Sequence, residues 1–282
     1  MKILHRTSAW AGFLSHQRQR LLKFCVRILS RRGHYPKFWL LHGEGICRGI
    51  CLSGFYELEL LQGMASLLGA SSSVVLDVGA NIGNHTVFFA QRFRQVIAFE
   101  PVPENCGLLK ANLRLNGLQN VYLIEKGLAD RTGDFDLEDC APETTNQGIC
   151  FEEKTHRPGR RSVAVACGDD EIEKIGLTGP IGLVKIDVEG AEPLVIGGLS
   201  RTLLEHQPLV CWEAFNHADA MKTVERLRPL GYKYLYHLST RRSAPRIVNR
   251  ILDNFGKKCF LYPFENHSPL DGMNVASVKT LI

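Results

Sequence analysis

The sequence predicts an α/β fold in which a mostly parallel β-sheet is covered by helices on both faces. The first observation is that short β-branched runs recur six times between residues 74 and 212. The second is that helical patterns separate most of these runs, which are themselves almost wholly apolar. Such runs are typical of parallel strands that are buried on both faces. The C-terminal stretch has no helix of useful length between its last two strand-like runs, which predicts an antiparallel end to the sheet.

The individual elements follow from residue type and spacing. Strands are predicted where β-branched and aromatic residues cluster, at 74–76, 96–99, 121–124, 162–166, 183–186 and 209–212. Helices are predicted where apolar residues recur every three or four positions, at 85–94, 104–116, 191–205 and 218–230. The strand-like stretches "YKYLYHL", "KKCFLYPF" and "NVASVKTL" complete the chain.

The first 72 residues differ from the rest and are predicted to be a basic, helical extension of a domain that spans 73–282. Nine Lys and Arg residues lie between Met1 and Lys37, and no acid precedes Glu44. Residues 17–32 have the pattern of an amphipathic helix. We expect this helix to pack on the domain with its arginines solvated; the alternative is peripheral contact with a membrane. A second helix is predicted over 53–69.

Composition excludes several classes of protein. The net charge of +5 is concentrated in the N-terminal segment, so no nucleic-acid-binding surface is predicted. The nine cysteines are scattered and form no C-x-x-C motif, which predicts neither a disulfide framework nor a zinc site. They favour a reducing compartment. The chain start lacks the apolar core and cleavage site of a secretory signal, and we therefore expect a cytoplasmic location, with membrane association through the basic helix as the alternative.

Acidic and glycine residues follow the predicted strands at the edge where open α/β sheets bind ligands. They are Asp77, Gly79, Asn81 and Gly83 after the first strand, Glu100 after the second, Asp130 after the third, Asp187 before "VEGAE", and Glu213 after "LVCW". The glycines allow a sharp turn and close approach to a ligand. A dinucleotide fingerprint would need glycine where Asn81 and Asn84 stand.

The charges at this edge select among nucleoside ligands. Asp77 would repel a phosphate but would suit a ligand amine. Glu100 is placed to accept hydrogen bonds from two ribose hydroxyls. The two carboxylates together predict a nucleoside with a cationic, phosphate-free tail, which describes S-adenosylmethionine and not NAD.

The stretches "VVLDVGANIGNHTVFFA", "VIAFEPVPENCGLLKANLRLN" and "GLVKIDVEGAEPLVIGGL" resemble, in order, the motifs of the FkbM-type methyltransferases. The resemblance implies a Rossmann-like, seven-stranded sheet whose last strand is antiparallel. It also implies methyl transfer from S-adenosylmethionine to oxygen on a small-molecule or glycan acceptor, such as a sugar, a glycolipid or a related natural product.

Several site residues are implied by position in those motifs. Asp77, Gly79, Asn81 and Gly83 match the cofactor loop, and Glu100 matches the acid that binds ribose. Asp130 matches the place beside the adenine, and Asp187 with Glu189 and Glu192 matches an acidic motif near the methyl group. Asn146 and Gly148 resemble a short polar loop of the family.

The general base for an acceptor hydroxyl is left open between several side chains. Asp187, Glu189 and His217 are the predicted catalytic residues, and Glu192 and Glu213 compete with them. Asp187, Glu189 and Glu192 could offer oxygen ligands to a cation, but no other residue clearly joins them, so no metal is predicted.

Other functions remain as alternatives to a sugar O-methyltransferase. The main one is a non-catalytic module that binds S-adenosylmethionine as a scaffold or sensor. A nucleotide-dependent oxidoreductase conflicts with Asn81 and Asn84, and a nucleic-acid methyltransferase would need a broader basic surface. The sequence specifies neither the acceptor nor the oligomeric state.

Overall fold

The computed structural model describes residues 36–40, 45–69, 73–137, 161–239, 260–264 and 272–280. It confirms the predicted fold class, a mostly parallel sheet with helices on both faces. The predicted basic helix at 17–32 and the polar loop around Asn146 and Gly148 lie outside the described residues. Within the described ranges, no helix combines the length and the apolar character needed to cross a membrane.

Eleven strands are described, and eight of them form the main sheet. In chain order they are β1 Val74–Val78, β2 Gln95–Phe99, β3 Val121–Ile124, β4 Gly127–Ala129, β5 Gly133–Leu137, β6 Arg161–Cys167, β7 Ile181–Ile186, β8 Leu209–Trp212, β9 Tyr234–Ser239, β10 Phe260–Pro263 and β11 Gly272–Ser277. The main sheet has the order β10-β9-β11-β8-β7-β1-β2-β3. Strand β11 is antiparallel to both of its neighbours, as expected for the last strand. The sheet has one strand more than the family resemblance implied, because β10 pairs with the outer edge of β9.

The predicted strand at 162–166 does not join the main sheet. It is β6, which pairs in parallel with β4 and antiparallel with β5 in a separate three-stranded sheet. Its apolar residues are buried all the same, because Val165 packs there against Ala129 and Phe135. An apolar pattern reports burial, and it does not specify which sheet provides that burial.

Helices cover both faces of the main sheet. They are α1 Gly45–Ser53, α2 Leu58–Leu68, α3 Asn84–Ala90, α4 Pro103–Leu115, α5 Gly168–Ile175, α6 Glu192–Gly198, α7 Ser200–His206 and α8 His217–Leu227. The predicted helix at 191–205 is thus two helices that meet at Leu199. Successive residues of a strand point to opposite faces. Leu76 accordingly packs in the core with α6 to α8, whereas Val75 packs in the core with α2 to α4.

The segment before β1 is held against the sheet by side chains and by the backbone. Leu60, Leu61 and Met64 of α2 are buried in the same core as β1. Asn112 on α4 accepts a hydrogen bond from the main-chain N–H of Trp39 and donates to the carbonyl oxygens of Trp39 and Ile82. Residues 36–40 and 45–69 therefore share contacts with the sheet domain, and the division at residue 72 stays a prediction.

We expect Asn112→Ala to lower the free energy of unfolding by about 1–3 kcal/mol, because it removes the partner of buried main-chain groups. Asn116, the C-cap residue of α4, makes a similar contact with the main chain of Lys37, but its hydrogen bonds there are exposed. Asn116→Ala is the control and should cost less than about 1 kcal/mol. Urea unfolding of both variants measures the difference, and equal costs would contradict this account.

Candidate functional site

A cleft opens at the carboxyl ends of the central strands, where the turn after β1 meets the residues that follow β2, β7 and β8. The main-chain hydrogen bonding of the sheet continues one residue beyond the strands. The N–H of Asp187 donates to the carbonyl oxygen of Val78, and the N–H of Glu213 donates to the carbonyl oxygen of Ile186. The predicted acids are thereby aligned along one edge. The cleft is lined by Ile46, Tyr56, Glu57, 78–82, Asn84, His85, 100–102, Asn105, Gly127, Leu128, Lys185, 187–189 and Glu213.

The turn after β1 depends on glycine at its first position. Gly79 has a φ of 77°, and a Cβ atom added there would lie 1.9 Å from the carbonyl oxygen of Asp187. The N–H groups of Gly79 and Ala80 both donate to the carbonyl oxygen of Phe99, which ties the turn to β2. Gly83 has a φ of 90° and packs closely against Leu109. At Gly79 and Gly83 an added Cβ atom would thus lie too close to neighbouring atoms.

Glu100 lies directly after β2 and is only 4% exposed. One carboxylate oxygen accepts a hydrogen bond of 2.8 Å from the N–H of Asn81, and the other accepts one of 2.9 Å from the N–H of Val102. Burial raises the pKa of Glu100, and the hydrogen bonds from Val102, Asn81 and Asn105 oppose that rise. The Oε1 atom also accepts from the side chain of Asn105 at 3.2 Å, so the lone pair that stays open for a further donor is on Oε2. Glu100 is thus a fixed acceptor that faces the cleft.

Asp77 is completely buried and is engaged by protein groups. It lies beside Lys185 in the register of β1 and β7, and the Lys185 Nζ is 3.1 Å from its Oδ1. Its other oxygen accepts a hydrogen bond of 2.6 Å from Thr86. Asp77 is not among the residues that line the cleft, so the structure gives no support to its predicted pairing with a ligand amine.

Lys185 connects this pair to the turn. Its Nζ donates to the carbonyl oxygen of Gly79 at 2.9 Å and lies 3.6 Å from the Asp187 Oδ2. Burial disfavours the ammonium, but the carboxylates of Asp77 and Asp187 outweigh burial and raise the pKa of Lys185. The ammonium therefore holds together the end of β1, the turn and the residue after β7.

Four acids follow β7 and β8, and they differ in their surroundings. Asp187 and Glu189 line the cleft, and burial together with Asp187 raises the pKa of Glu189. Glu192 instead binds its own loop, where its carboxylate accepts from the N–H of Gly190 at 3.1 Å. Burial, then Asp187 and Glu57, raise the pKa of Glu213 well above its ordinary value. At this end of the cleft Glu213 thus favours the protonated acid, which can donate a hydrogen bond.

The opposite wall of the same end comes from the segment before α2 and from α3. Asn84 accepts from the N–H of Tyr56 and donates to the Tyr56 carbonyl, both at 3.0 Å. Glu57 follows with left-handed backbone, at a φ of 56°. Its carboxylate is 3.6 Å from the Nε2 of the buried His85. Burial and then Glu57, Glu213 and Asp187 raise the pKa of Tyr56 to about 12.

Four predicted site residues do not line the cleft: Asp77 and Gly83, which adjoin residues that do, and Asp130 and His217. Asp130 follows β4 of the small sheet, is exposed, and contacts Arg131 at 3.6 Å. Gly127 and Leu128 line the cleft in its place. His217 is the first residue of α8, which begins after the capping side chain of Asn216. Its exposed ring packs on Phe264, with centroids 5.3 Å apart. The structure does not bring either side chain to Asp187.

Sequence reasoning missed three residues that the structure places at the site. Lys185 stands in the otherwise apolar strand "LVKI", and a lysine within a buried parallel strand is itself a signal that an acid must be paired with it. Tyr56 and Glu57 lie outside all three recognised motifs. They carry no comparable signal, since their position depends on how α2 packs on the sheet.

We expect Lys185→Met to lower the free energy of unfolding by about 3–5 kcal/mol, because Asp77 would remain buried without its counter-charge. The double variant Lys185→Met with Asp77→Asn removes both charges. It should cost at least about 1 kcal/mol less than the sum of the two single variants. Urea unfolding of the three proteins measures this coupling, and simple additivity would show that the two groups do not depend on each other.

Gly79→Ala should destabilise the protein by more than about 4 kcal/mol, because the new methyl group would overlap the carbonyl of Asp187. Gly117 is the matched control, since its φ of 65° is similar but no atom lies within 4 Å of an added Cβ. Gly117→Ala should cost only the backbone strain of about 1–2 kcal/mol. Denaturant unfolding compares the two. If Gly79→Ala lowered the free energy of unfolding no more than Gly117→Ala does, the close approach of Gly79 to Asp187 would be refuted.

Comparison with known proteins finds that the chain is similar to methyltransferases. The chain is 32% identical to the hexuronic acid methyltransferase AglP of Haloferax volcanii over 131 residues, which cover 46% of this chain and 51% of that protein. It is 30% identical to the 2-O-methyltransferase NoeI of Sinorhizobium fredii over 162 residues, which cover 52% and 65%. The chain thus spans about half to two thirds of the length of these curated relatives.

Among solved structures, the methyltransferase FkbM of Methylobacillus flagellatus aligns with a TM-score of 0.40 and 18% identity, over 73% of this chain and 44% of that one. Residues 77–234 match the model of the methyltransferase FkbM domain. That match covers more than half of the chain and includes the turn after β1, Glu100 and the acids after β7. The chain therefore belongs to the FkbM methyltransferase family.

Proposed function

We propose that the cleft binds S-adenosylmethionine and that the protein transfers its methyl group to a hydroxyl oxygen of a sugar, a glycan, a glycolipid or a related natural product. The observation that carries the first half is Glu100, a buried carboxylate held in place by two main-chain N–H groups. A fixed acceptor of this kind suits two adjacent ribose hydroxyls. The family and the printed names of the relatives AglP and NoeI support methyl transfer to a sugar oxygen.

The residues of the cleft fit this cofactor along its length. The turn from Gly79 to Ile82 lines the cleft beside Glu100. Glu100 and Asn105 form one end, which suits the ribose, and Gly127 and Leu128 adjoin it. Asp187 and Glu189 lie at the other end, where their carboxylates attract the positive charges of a sulfonium and an amino group. When bound, the cofactor supplies an activated methyl group with a neutral thioether as leaving group.

The protein's own contribution is to align the acceptor and exclude competing orientations. The acceptor would enter between the residues after β7 and β8 and the wall formed by Tyr56 and Glu57. Protonated Glu213 can donate a hydrogen bond to an acceptor oxygen, and ionised acids nearby can accept from its hydroxyls. Holding the reacting atoms in line accounts for much of the acceleration in such displacements.

Glu100→Gln should weaken binding of S-adenosylmethionine about 10- to 100-fold, which is the loss expected for hydrogen bonds to a charged group. The control is Glu125→Gln. Glu125 follows β3 at the equivalent position, but it is exposed and paired with Lys110. The Glu125→Gln variant should bind S-adenosylmethionine as tightly as the wild type does. Isothermal titration calorimetry measures both, and a wild type that binds no S-adenosylmethionine would end the proposal.

The transfer step is tested with isotope-labelled S-adenosylmethionine and a panel of methyl glycosides that includes neutral hexoses, 6-deoxyhexoses and hexuronic acids. We expect mass spectrometry to find one labelled methyl ether on at least one member. Heat-inactivated protein is the control. Cofactor binding without transfer to any member would contradict the sugar assignment and favour the scaffold alternative.

A further inference from the structure

Glu57 and His85 form a carboxylate–imidazole pair in the wall of the cleft, and neither side chain takes part in the proposed binding of the cofactor. The Glu57 Oε2 and the His85 Nε2 are 3.6 Å apart, and both side chains line the cleft together with Asp187 and Glu213. His85 is 7% exposed, so it is not a solvated surface histidine. Glu57 precedes the family-matched region 77–234 and thus adds to the site from outside the shared domain.

Hydrogen bonds of the neighbouring residues hold this pair in position. The two-way hydrogen bonding between Asn84 and the main chain of Tyr56 fixes the residue before Glu57 next to the residue before His85. Glu57 also adopts the left-handed backbone conformation, which costs a non-glycine residue of order 1 kcal/mol and is found most often at functional sites. Its carboxylate is consequently aimed at the imidazole.

We propose that His85 is the general base that accepts the proton of the acceptor hydroxyl, and that Glu57 is the residue that positions it. This inference depends on the methyl transfer proposed above. As the acceptor oxygen forms the new C–O bond, its O–H bond breaks and the proton passes to the imidazole. The electron pair of the breaking C–S bond stays on sulfur. Glu57 orients the ring and stabilises the imidazolium that results.

Three other acids at or near the cleft, Asp187, Glu192 and Glu213, already have partners or favour the protonated form. The Asp187 Oδ2 lies 3.6 Å from the ammonium of Lys185, so this carboxylate already has a positively charged partner. The carboxylate of Glu192 is bound to the N–H groups of its own loop. Glu213 favours the protonated form because of burial and its acidic neighbours. The contact of 3.6 Å between Glu57 and His85 is longer than a hydrogen bond, and such catalytic contacts often shorten when substrate binds.

The experiment uses the full chain and the methyl glycoside that accepts the labelled methyl group. His85→Gln should lower kcat at least about 100-fold, and Glu57→Gln about 10-fold, while the Kd for S-adenosylmethionine stays within about twofold. Glu59→Gln is the control, since Glu59 lies on α2 two residues beyond Glu57 and does not line the cleft. It should leave kcat unchanged.

A rescue measurement separates catalysis from a merely structural effect. Free imidazole added to His85→Ala should restore part of kcat, and it should not raise kcat of the wild type. Failure of rescue in a variant that still binds S-adenosylmethionine would overturn the assignment. So would wild-type kcat in His85→Gln, or a weakened Kd as the sole effect of either substitution, which would make the pair part of the cofactor site.

The two proposals fail in distinguishable ways. A wild type that binds no S-adenosylmethionine or transfers no methyl group contradicts the function itself. A wild type that transfers the methyl group, together with His85 and Glu57 variants that do so equally well, contradicts only the role of this pair.

Discussion

The site depends on one buried ion pair, between Asp77 on β1 and Lys185 on β7. Both side chains are removed from water, which costs several kcal/mol for each ion, so each must be matched by the other and by further polar groups. Thr86 supplies a donor to Asp77, and the carbonyl of Gly79 supplies an acceptor to Lys185. The pair thereby fixes the relative position of β1, β7 and α3 at the edge where the cleft opens.

This constraint also explains the composition of the turn after β1. Lys185 draws the carbonyl of Gly79 toward β7, and the turn then passes so close to the Asp187 backbone that a Cβ atom has no room. On the other side, the turn is bound to Phe99 and to Glu100. Gly79 and the ends of β2 and β7 are thus parts of one arrangement. The turn that passes close to Asp187 also fixes Glu100, the acid that suits a ribose.

The parts of this arrangement that are local in sequence could be predicted. Gly79 and Glu100 each follow an apolar strand directly, and the ends of adjacent parallel strands meet at one edge, so their convergence needs only the fold class. The pairing of Asp77 with Lys185 could not be derived in the same way. It requires the register of two strands more than 100 residues apart, and strands that are apolar on both faces have no alternating pattern that would specify the register. The predictions that placed Asp130 and His217 in the site failed for a similar reason, because each position depends on contacts that are distant in sequence. Asp130 follows a strand that joins a second sheet, and Asn216 caps α8 so that His217 faces Phe264.

The cleft is built partly from the shared family domain and partly from the residues that precede it. The glycine turn and Glu100 lie within 77–234, and they form the end that suits a nucleoside. The wall across from Asp187 and Glu213 instead includes Tyr56 and Glu57, which lie before that region. Because α2 buries Leu60, Leu61 and Met64 in the same core as β1, this wall is anchored as firmly as the sheet itself. A fixed wall of that kind can select an acceptor, and part of it is supplied from outside the family-matched region.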